Sequence, residues 1–246
     1  MFNIPSVPKP AVQGLSQDGL SLLTPADLAA TLPSGWAPGW TALGASWEQL
    51  PPDAHLKDGG HYRRRRHSCF IQDLPGGQLV QTPHRAHWQP TSYNALHGGF
   101  ERWFEPVDPA VAAAPAWGAL LAGLGQLFGQ VRPVPRWYIE AHQFRIDTAG
   151  GVGRPTPEGA HRDGVDFVVV MLVARRGVKG GETRVFDANG PHGLRFVMQE
   201  PLTTLLLDDA RVIHETTPIL PQEASTVDGH RDTLVLTYRA GGFQSP

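Results

Sequence analysis

The sequence predicts a mainly β fold with flanking helices, built around an antiparallel jelly roll. Three observations carry this. Between residues 137 and 240 the chain breaks into short apolar or alternating runs, and no helix-length amphipathic segment interrupts them. The 246 residues include 28 Gly and 23 Pro, which favours short strands joined by tight connections over a helical bundle. Helical spacing is confined to the part before Arg132-Pro133-Val134-Pro135, a stiff joint. The expected organisation is a single domain over 1–246. Residues 1–132 form a mixed α/β N-terminal extension packed on a core over 133–246 that carries the functional site.

The elements follow in order. Thr24-Pro25 before ADLAATL reads as an N-cap, a first-turn proline and a short helix. Residues 33–60 are rich in Pro, Gly and Trp and are expected to be irregular but packed. HYRRRRHSCFIQ (61–72) reads as a strand. Asp108-Pro109 starts a second helical region, VAAAPAWGALLAGLGQLFGQV, which Pro115 should break or restart. WYIEAHQFRI (137–146) alternates as a strand. VDFVVVMLVA (165–174) is apolar throughout, as in a strand covered on both faces. Lys179-Gly180-Gly181 reads as a hairpin turn before ETRVFD. GLRFVMQ, LTTLLLD, ARVIHETTPI and DTLVLTYR follow as strands.

Composition sets limits on function. A formal charge of -2 gives no electrostatic reason for a nucleic-acid or membrane partner. The run Arg63–Arg66 is read as a solvated or ion-paired strand, since neither an aromatic stacking platform nor a positive balance accompanies it. The single cysteine, Cys69, excludes an internal disulfide, suits a reducing cytoplasm and is read as core. The N-terminus has no secretory pattern, and no run reaches the length of a membrane span. The expected partner is a small molecule, and the expected location is the cytoplasm. The oligomeric state stays open, a homodimer included.

The chemistry concentrates in His161-Arg162-Asp163, His214 and Arg231. On a strand, side chains two apart share a face, so His161 and Asp163 would project toward one point. His214 follows TTLLLDD and can approach that point from another strand. Two histidines and a carboxylate on one face of a metal leave the other face open, which is the facial arrangement of non-haem Fe(II) oxygenases. The same ligands also serve Zn²⁺ in hydrolases. Arg231 favours a metal whose co-substrate is an anion. Arg231, Thr233, Val235, Thr237 and Arg239 share one face of an alternating run, and an inward arginine requires an anion. Arg231 would bind a carboxylate bidentately and Thr233 would add a hydrogen bond, with Arg239 as the rival. Arg145, Glu158 and Gln143 are candidate substrate contacts. Arg145 would receive a carboxylate and Glu158 an ammonium group, with a structural role as the alternative for each. Tyr93, Asn94 and Trp103 are read as packing.

HQFRID (142–147), PEGAHRDGVDFVVVMLVARR (157–176), GGETRVFD (180–187), LLLDDARVIHETTPI (205–219) and RDTLVLTYR (231–239) together resemble the Fe(II)/2-oxoglutarate-dependent dioxygenase superfamily. YNALHGGFERWFEP (93–106) is similar as well. The nearer resemblance is to a bacterial subfamily that includes hydroxylases of free L-amino acids, such as L-isoleucine 4-hydroxylase. The resemblance implies a double-stranded β-helix core of the jelly-roll, cupin-like kind. It implies Fe(II) held by His161, Asp163 and His214, and 2-oxoglutarate held by Arg231. It also implies O₂ as oxidant, ascorbate as a stimulant in vitro, and release of succinate and CO₂. Halogenating relatives replace the carboxylate ligand by a small residue, so Asp163 implies hydroxylation of an unactivated C–H. Two further readings stand beside it. One is a non-enzymatic metabolite- or 2-oxoglutarate-binding regulator on the same fold, linked to stress or biofilm behaviour. The other is a peptidyl hydroxylase, which needs a long open groove.

Overall fold

The computed structural model describes residues 9–32, 36–222 and 229–246. The N-terminal part contains α1 (Ala11–Asp18), β1 (Leu20–Leu23), α2 (Pro25–Thr31) and α3 (Trp36–Leu43), followed by a 3₁₀ turn at Gly44–Gln49. Next come β2 (Arg63–Asp73), β3 (Leu79–Gln81), α4 (Pro109–Ala112) and α5 (Pro115–Val131). The remainder is β4 (Arg136–Asp147), β5 (Phe167–Arg176), β6 (Val178–Gly180), β7 (Glu182–Asp187), β8 (Gly193–Val197), β9 (Thr204–Asp208), β10 (Val212–Thr216), β11 (Ile219–Pro221) and β12 (His230–Arg239).

Local chemistry accounts for the helix ends. Thr24 caps α2 with a full capping box, its hydroxyl accepting from Asp27 N–H while Asp27 accepts from Thr24 N–H. Asp108 caps α4, and Pro115 occupies the first turn of α5, so the chain restarts its helix there as expected. The Trp-rich stretch expected to be irregular instead forms α3 and the 3₁₀ turn. Its proline and glycines mask the helical signal, and packing supplies the missing stability. Trp40 stacks on Trp117 of α5 at 6.2 Å with the rings 7° from parallel.

The strands form an antiparallel seven-stranded sheet in the order β1-β9-β5-β12-β4-β2-β3, with a three-stranded sheet β10-β7-β8 and a pair β11-β6. This is the jelly roll that the run of short strands predicts. Strands from both sides of residue 132 share the large sheet, because β2 pairs along its whole length with β4 and β1 closes the far edge on β9. Lys179-Gly180-Gly181 is not a hairpin turn. Lys179 and Gly180 themselves belong to β6, which pairs with β11, and the strand that follows, β7, pairs with β10 and β8. The two glycines, both at positive φ, carry the chain from one sheet to the next.

Each central strand has two different faces. One face of the large sheet presents Phe70, Trp137, Ile139, Ala141, Phe167, Val169, Met171, Leu234, Leu236 and Tyr238 to a core shared with the helices. Helix α5 supplies Trp117, Leu120, Leu121, Leu124 and Phe128 at helical spacing. Phe128 lies 4.4 Å from Phe167, ring stacked on ring, and Tyr238 donates its hydroxyl hydrogen bond to Leu121 O at 2.8 Å. Val168, Leu205 and Leu207 point the other way and meet Val185 and Val212 of the small sheet. The cavity that holds the candidate site opens on this second side. Because Phe128 is fully buried against the sheet, Phe128→Ala should lower the unfolding free energy by about 3–5 kcal/mol. Chemical denaturation measures this, and a loss under about 1 kcal/mol would contradict the docking of α5.

Candidate active site

His161 and His214 are joined backbone to backbone. Each N–H donates to the other's carbonyl at 3.0 Å, an isolated antiparallel bridge that holds the two rings 4.6 Å apart. His214 lies in β10, whereas residues 161–163 are not a strand as the spacing suggests. Asp163 is positioned by a loop clamp instead. The buried carboxylate of Asp209, just beyond β9, accepts the N–H groups of Asp163, Gly164 and Val165 at 2.9, 2.8 and 3.2 Å. Gly164 turns at φ +76 with Tyr93 against it, leaving no room for a Cβ. Burial, and then the Asp163 carboxylate, push the Asp209 pKa up to about 6.

The donor atoms of His161, Asp163 and His214 all lie within 4.8 Å of one another. His161 Nδ1 faces the carbonyl of Gly159 at 2.9 Å and donates to it, so its lone pair is on Nε2, 3.9 Å from Asp163 Oδ1. His214 Nε2 lies 3.7 Å from Asp163 Oδ2. Burial, and then neighbouring His161, push the His214 pKa down to about 3, so its ring is in the neutral, ligating form. Burial opposes charge on His161, but Asp163 and Glu158 outweigh it and hold its pKa above the ordinary range. Two imidazole nitrogens and a carboxylate converging without protein between them fit a divalent metal. The excess negative potential at His161 is what such an ion would neutralise.

These residues line a cavity of about 120 Å³ together with Arg231, Thr233, Val235 and Thr237 of β12. Arg231 is 3% exposed, and among the described residues its side chain hydrogen-bonds only to Met198 Sδ, at 3.9 Å. Its Nε is buried without an acceptor, and burial, followed by Arg175, pushes its pKa down to about 10. Thr233 is buried beside it on the same face. Arg239, the alternative anchor, does not line the cavity and donates to Gly242 O. Glu158 lines the cavity with Oε2 buried and unpartnered.

Arg145 and Gln143 do not reach the cavity, which corrects the sequence-based expectation for both. Their parity on β4 turns them to the helix side. Arg145 makes paired hydrogen bonds of 2.7–2.8 Å with Asp232 and Glu48, and Gln143 donates to Ser46 Oγ at 2.8 Å. The alternate residues His142, Phe144 and Ile146 line the cavity.

The sequence reading also missed a wall of polar residues supplied by β2 and the 84–102 segment. Arg63 and Arg65 are buried in the cavity wall rather than solvated, and both are held by Asp53, at 2.6 and 3.9 Å. A pattern of alternate buried arginines on a strand was the available signal. His87 and Arg102 pair backbone to backbone, and Gln89 between them donates to Asp163 Oδ1 at 3.0 Å. Asn94 lines the cavity, while Tyr93 and Trp103 are 36% and 55% exposed.

A second cluster, His67, His87, Glu140 and His142, also has donor atoms within 4.8 Å. Its hydrogen bonds oppose a metal. Arg65 donates to His142 Nδ1 at 2.7 Å, so the proton of the neutral ring is on Nε2 and neither nitrogen is free. His67 Nε2 and His87 Nδ1 donate to Glu140 Oε2 at 2.9 and 2.6 Å. Burial opposes the charge on Glu140, but its histidine partners hold its pKa well below the ordinary range. The cluster is a buried carboxylate satisfied by neutral imidazoles, and it backs the arginine wall.

Two predictions follow from this arrangement. Gln89→Ala should weaken metal binding about 10–100-fold, since Gln89 orients the carboxylate of Asp163, a candidate ligand. Titration with Co(II), followed by its visible absorption, measures this, and an unchanged affinity would remove Gln89 from that role. Acid should also destabilise the fold. Burial lowers the His87 pKa from 6.5 to about 4, so within that window the unfolded chain binds more protons than the folded one. Stability is therefore complete above about pH 6.5 and is lost as pH falls toward 4. Urea unfolding at a series of pH values should give this slope, and a flat profile would contradict a neutral buried His87.

Comparison with known proteins agrees with this geometry. No curated protein sequence matches the chain. Among solved structures, a bsmA homolog from Methylobium petroleophilum PM1 is 59% identical and superposes with a TM-score of 0.91 over 98% of this chain and 97% of its own. IDO from Bacillus thuringiensis shares the fold at 17% identity, with a TM-score of 0.76 over 98% of this chain and 100% of its own. The Fe(II)/α-ketoglutarate-dependent dioxygenase TqaL does so at 20% identity, with a TM-score of 0.67 over 93% and 85%. No helix among the described residues is long and apolar enough to cross a membrane. The family described as 2OG-Fe dioxygenase matches residues 44–237. The chain belongs to that family, and it is an oxidoreductase whose cofactors are Fe(II), 2-oxoglutarate and O₂.

Proposed function

We propose that this dioxygenase hydroxylates an unactivated C–H of a free L-amino acid, with His161, Asp163 and His214 as the iron ligands and Arg231 as the anchor of 2-oxoglutarate. The observation that carries the reading is Arg231. It is a buried guanidinium with no carboxylate partner among the described residues, and it faces the same small cavity as the triad. A buried cation without a counter-ion is costly unless a ligand supplies one. The distal carboxylate of 2-oxoglutarate would do so, with Thr233 donating a further hydrogen bond. A cavity of about 120 Å³ suits a metabolite better than a peptide chain.

When bound, the iron with 2-oxoglutarate and O₂ supplies an oxidant that places one oxygen atom in a substrate C–H and leaves succinate and CO₂. The protein's own contribution is orientation and dryness. His214 and His161 would present ring nitrogens to the metal, Gln89 and Asp209 hold Asp163 in place, and Val170, Val235 and Phe144 keep the wall apolar.

The test is succinate release in air with Fe(II), ascorbate and 2-oxoglutarate across a panel of free L-amino acids. One member should stimulate succinate several-fold and appear as its hydroxylated product. His161→Ala and Asp163→Ala should abolish both. Arg231→Ala should raise the KM for 2-oxoglutarate at least about tenfold, as expected for loss of a charged bidentate contact. Turnover retained in the His161 or Asp163 variant would overturn the ligand assignment, and stimulation by no amino acid would overturn the substrate class.

A further inference from the structure

Arg102 shares the condition of Arg231. It is 2% exposed, lines the same cavity and has no carboxylate partner among the described residues. Its backbone is pinned by the two hydrogen bonds to His87, at 2.9 and 3.0 Å, and its Nη2 donates to Gln89 Oε1 at 2.8 Å. Its Nε is buried without an acceptor. The other arginines of the wall differ, because Arg63 and Arg65 share Asp53, and Arg65 is further held between the rings of Phe104 and Phe144 at 3.7 and 4.4 Å. The cavity therefore presents two uncompensated guanidinium groups. They sit on different walls: Arg231 on β12, and Arg102 on the segment that reaches Asp163 through Gln89.

The complementary group is Glu158. Its Oε2 is buried without a donor, and its Oε1 lies 3.7 Å from His161 Nε2. Arg102 and Glu158 line one cavity yet do not pair with each other. Opposite buried charges held apart across a cavity suit a ligand that carries both charges in reverse.

We infer that Arg102 receives the α-carboxylate of the substrate and Glu158 its α-ammonium group, so that the enzyme selects a free α-amino acid by its zwitterion. Arg102 then takes the role that Arg145, committed to Asp232 and Glu48, cannot fill. Gln89 links this seat to the triad, accepting from Arg102 and donating to Asp163. The inference rests on the proposed reaction at this cavity, and its test separates the two.

The experiment compares each free L-amino acid with its C-terminal carboxamide and with the matching des-amino acid. Binding is read by thermal shift on the anaerobic Fe(II) protein with 2-oxoglutarate present, and succinate release in air is read separately. The wild-type protein should bind at least one amino acid about tenfold or more tighter than its carboxamide, the expected cost of losing a charge-assisted contact. In Arg102→Gln that preference should fall to within about threefold, and Arg102→Lys should restore part of it. In Glu158→Gln the preference for the amino acid over its des-amino analogue should fall in the same way. A merely structural role would weaken all ligands together and leave these ratios unchanged. Equal binding of acid and carboxamide to the wild type, or a ratio that survives Arg102→Gln, overturns the inference. So does the absence of amino-acid binding by a protein that binds 2-oxoglutarate. Selective binding without any succinate would instead overturn the proposed reaction and leave the seat standing.

Discussion

The pleat of β12 is the constraint on which the rest depends. This strand is hydrogen-bonded to β4 on one side and β5 on the other, so its position in the middle of the sheet leaves it no freedom to slip. Leu234, Leu236 and Tyr238 go to the helix-covered core, and Arg231, Thr233, Val235 and Thr237 go to the cavity. A slip of one residue would bury Asp232 in the cavity and drive Arg231 into the core. The pairing with β5 shifts between Asp232 and Thr233, and the irregularity falls beside the arginine. The apolar face, with α5 laid across it, is what holds the charged face still.

The cavity is made of charges that the fold cannot satisfy alone. Asp53 compensates Arg63 and Arg65, and Glu140 is satisfied by neutral histidines. Arg231, Arg102, Glu158 and the His161–Asp163–His214 group remain, each with a buried polar atom or an open lone pair directed at the same small space. Such groups cost stability in the empty protein, and ligands recover it by supplying the missing partners. The folding energy comes from the other side of the sheet, where Trp, Phe and Leu side chains are closed off from water. Stability and chemistry are thus divided between the two faces of one sheet.

The placement of the triad depends on tertiary contact. Asp163 is not on a regular element. Its place is set by Asp209, which follows β9, by Gln89 from the segment before α4, and by the bridge between His161 and His214. These partners lie far apart in the chain, so the triad forms only when the small and large sheets have closed on each other. The N-terminal residues are part of that closure. They supply three strands of the large sheet as well as the polar wall of the cavity, and are more than a cover laid over a finished core.

Much was legible in the sequence, and the reason is periodicity. Alternation over 231–239 assigned Arg231 and Thr233 to one face and the leucines to the other, the apolar run of β5 marked a strand covered on both sides, and the capping residues Thr24 and Asp108 marked their helices. The His-x-Asp and His214 pattern singled out the three residues that the fold brings together. Periodicity says which residues share a face but not which face is the cavity. For β4 it offered two equal choices, and Arg145 and Gln143 lie on the wrong one because Asp232, Glu48 and Ser46 wait there. The basic run 63–66 and the stretch 93–106 did not mark Arg65 or Arg102 as cavity residues, Gln89 lies in no motif, and long-range pairing brings all three to the site. The sequence by itself determined the strands, the caps and the residues able to bind a metal. Only the tertiary structure decided which side of each strand faces the cavity and which buried charges are left for a ligand to satisfy, because parity and compensation are properties of neighbours in space.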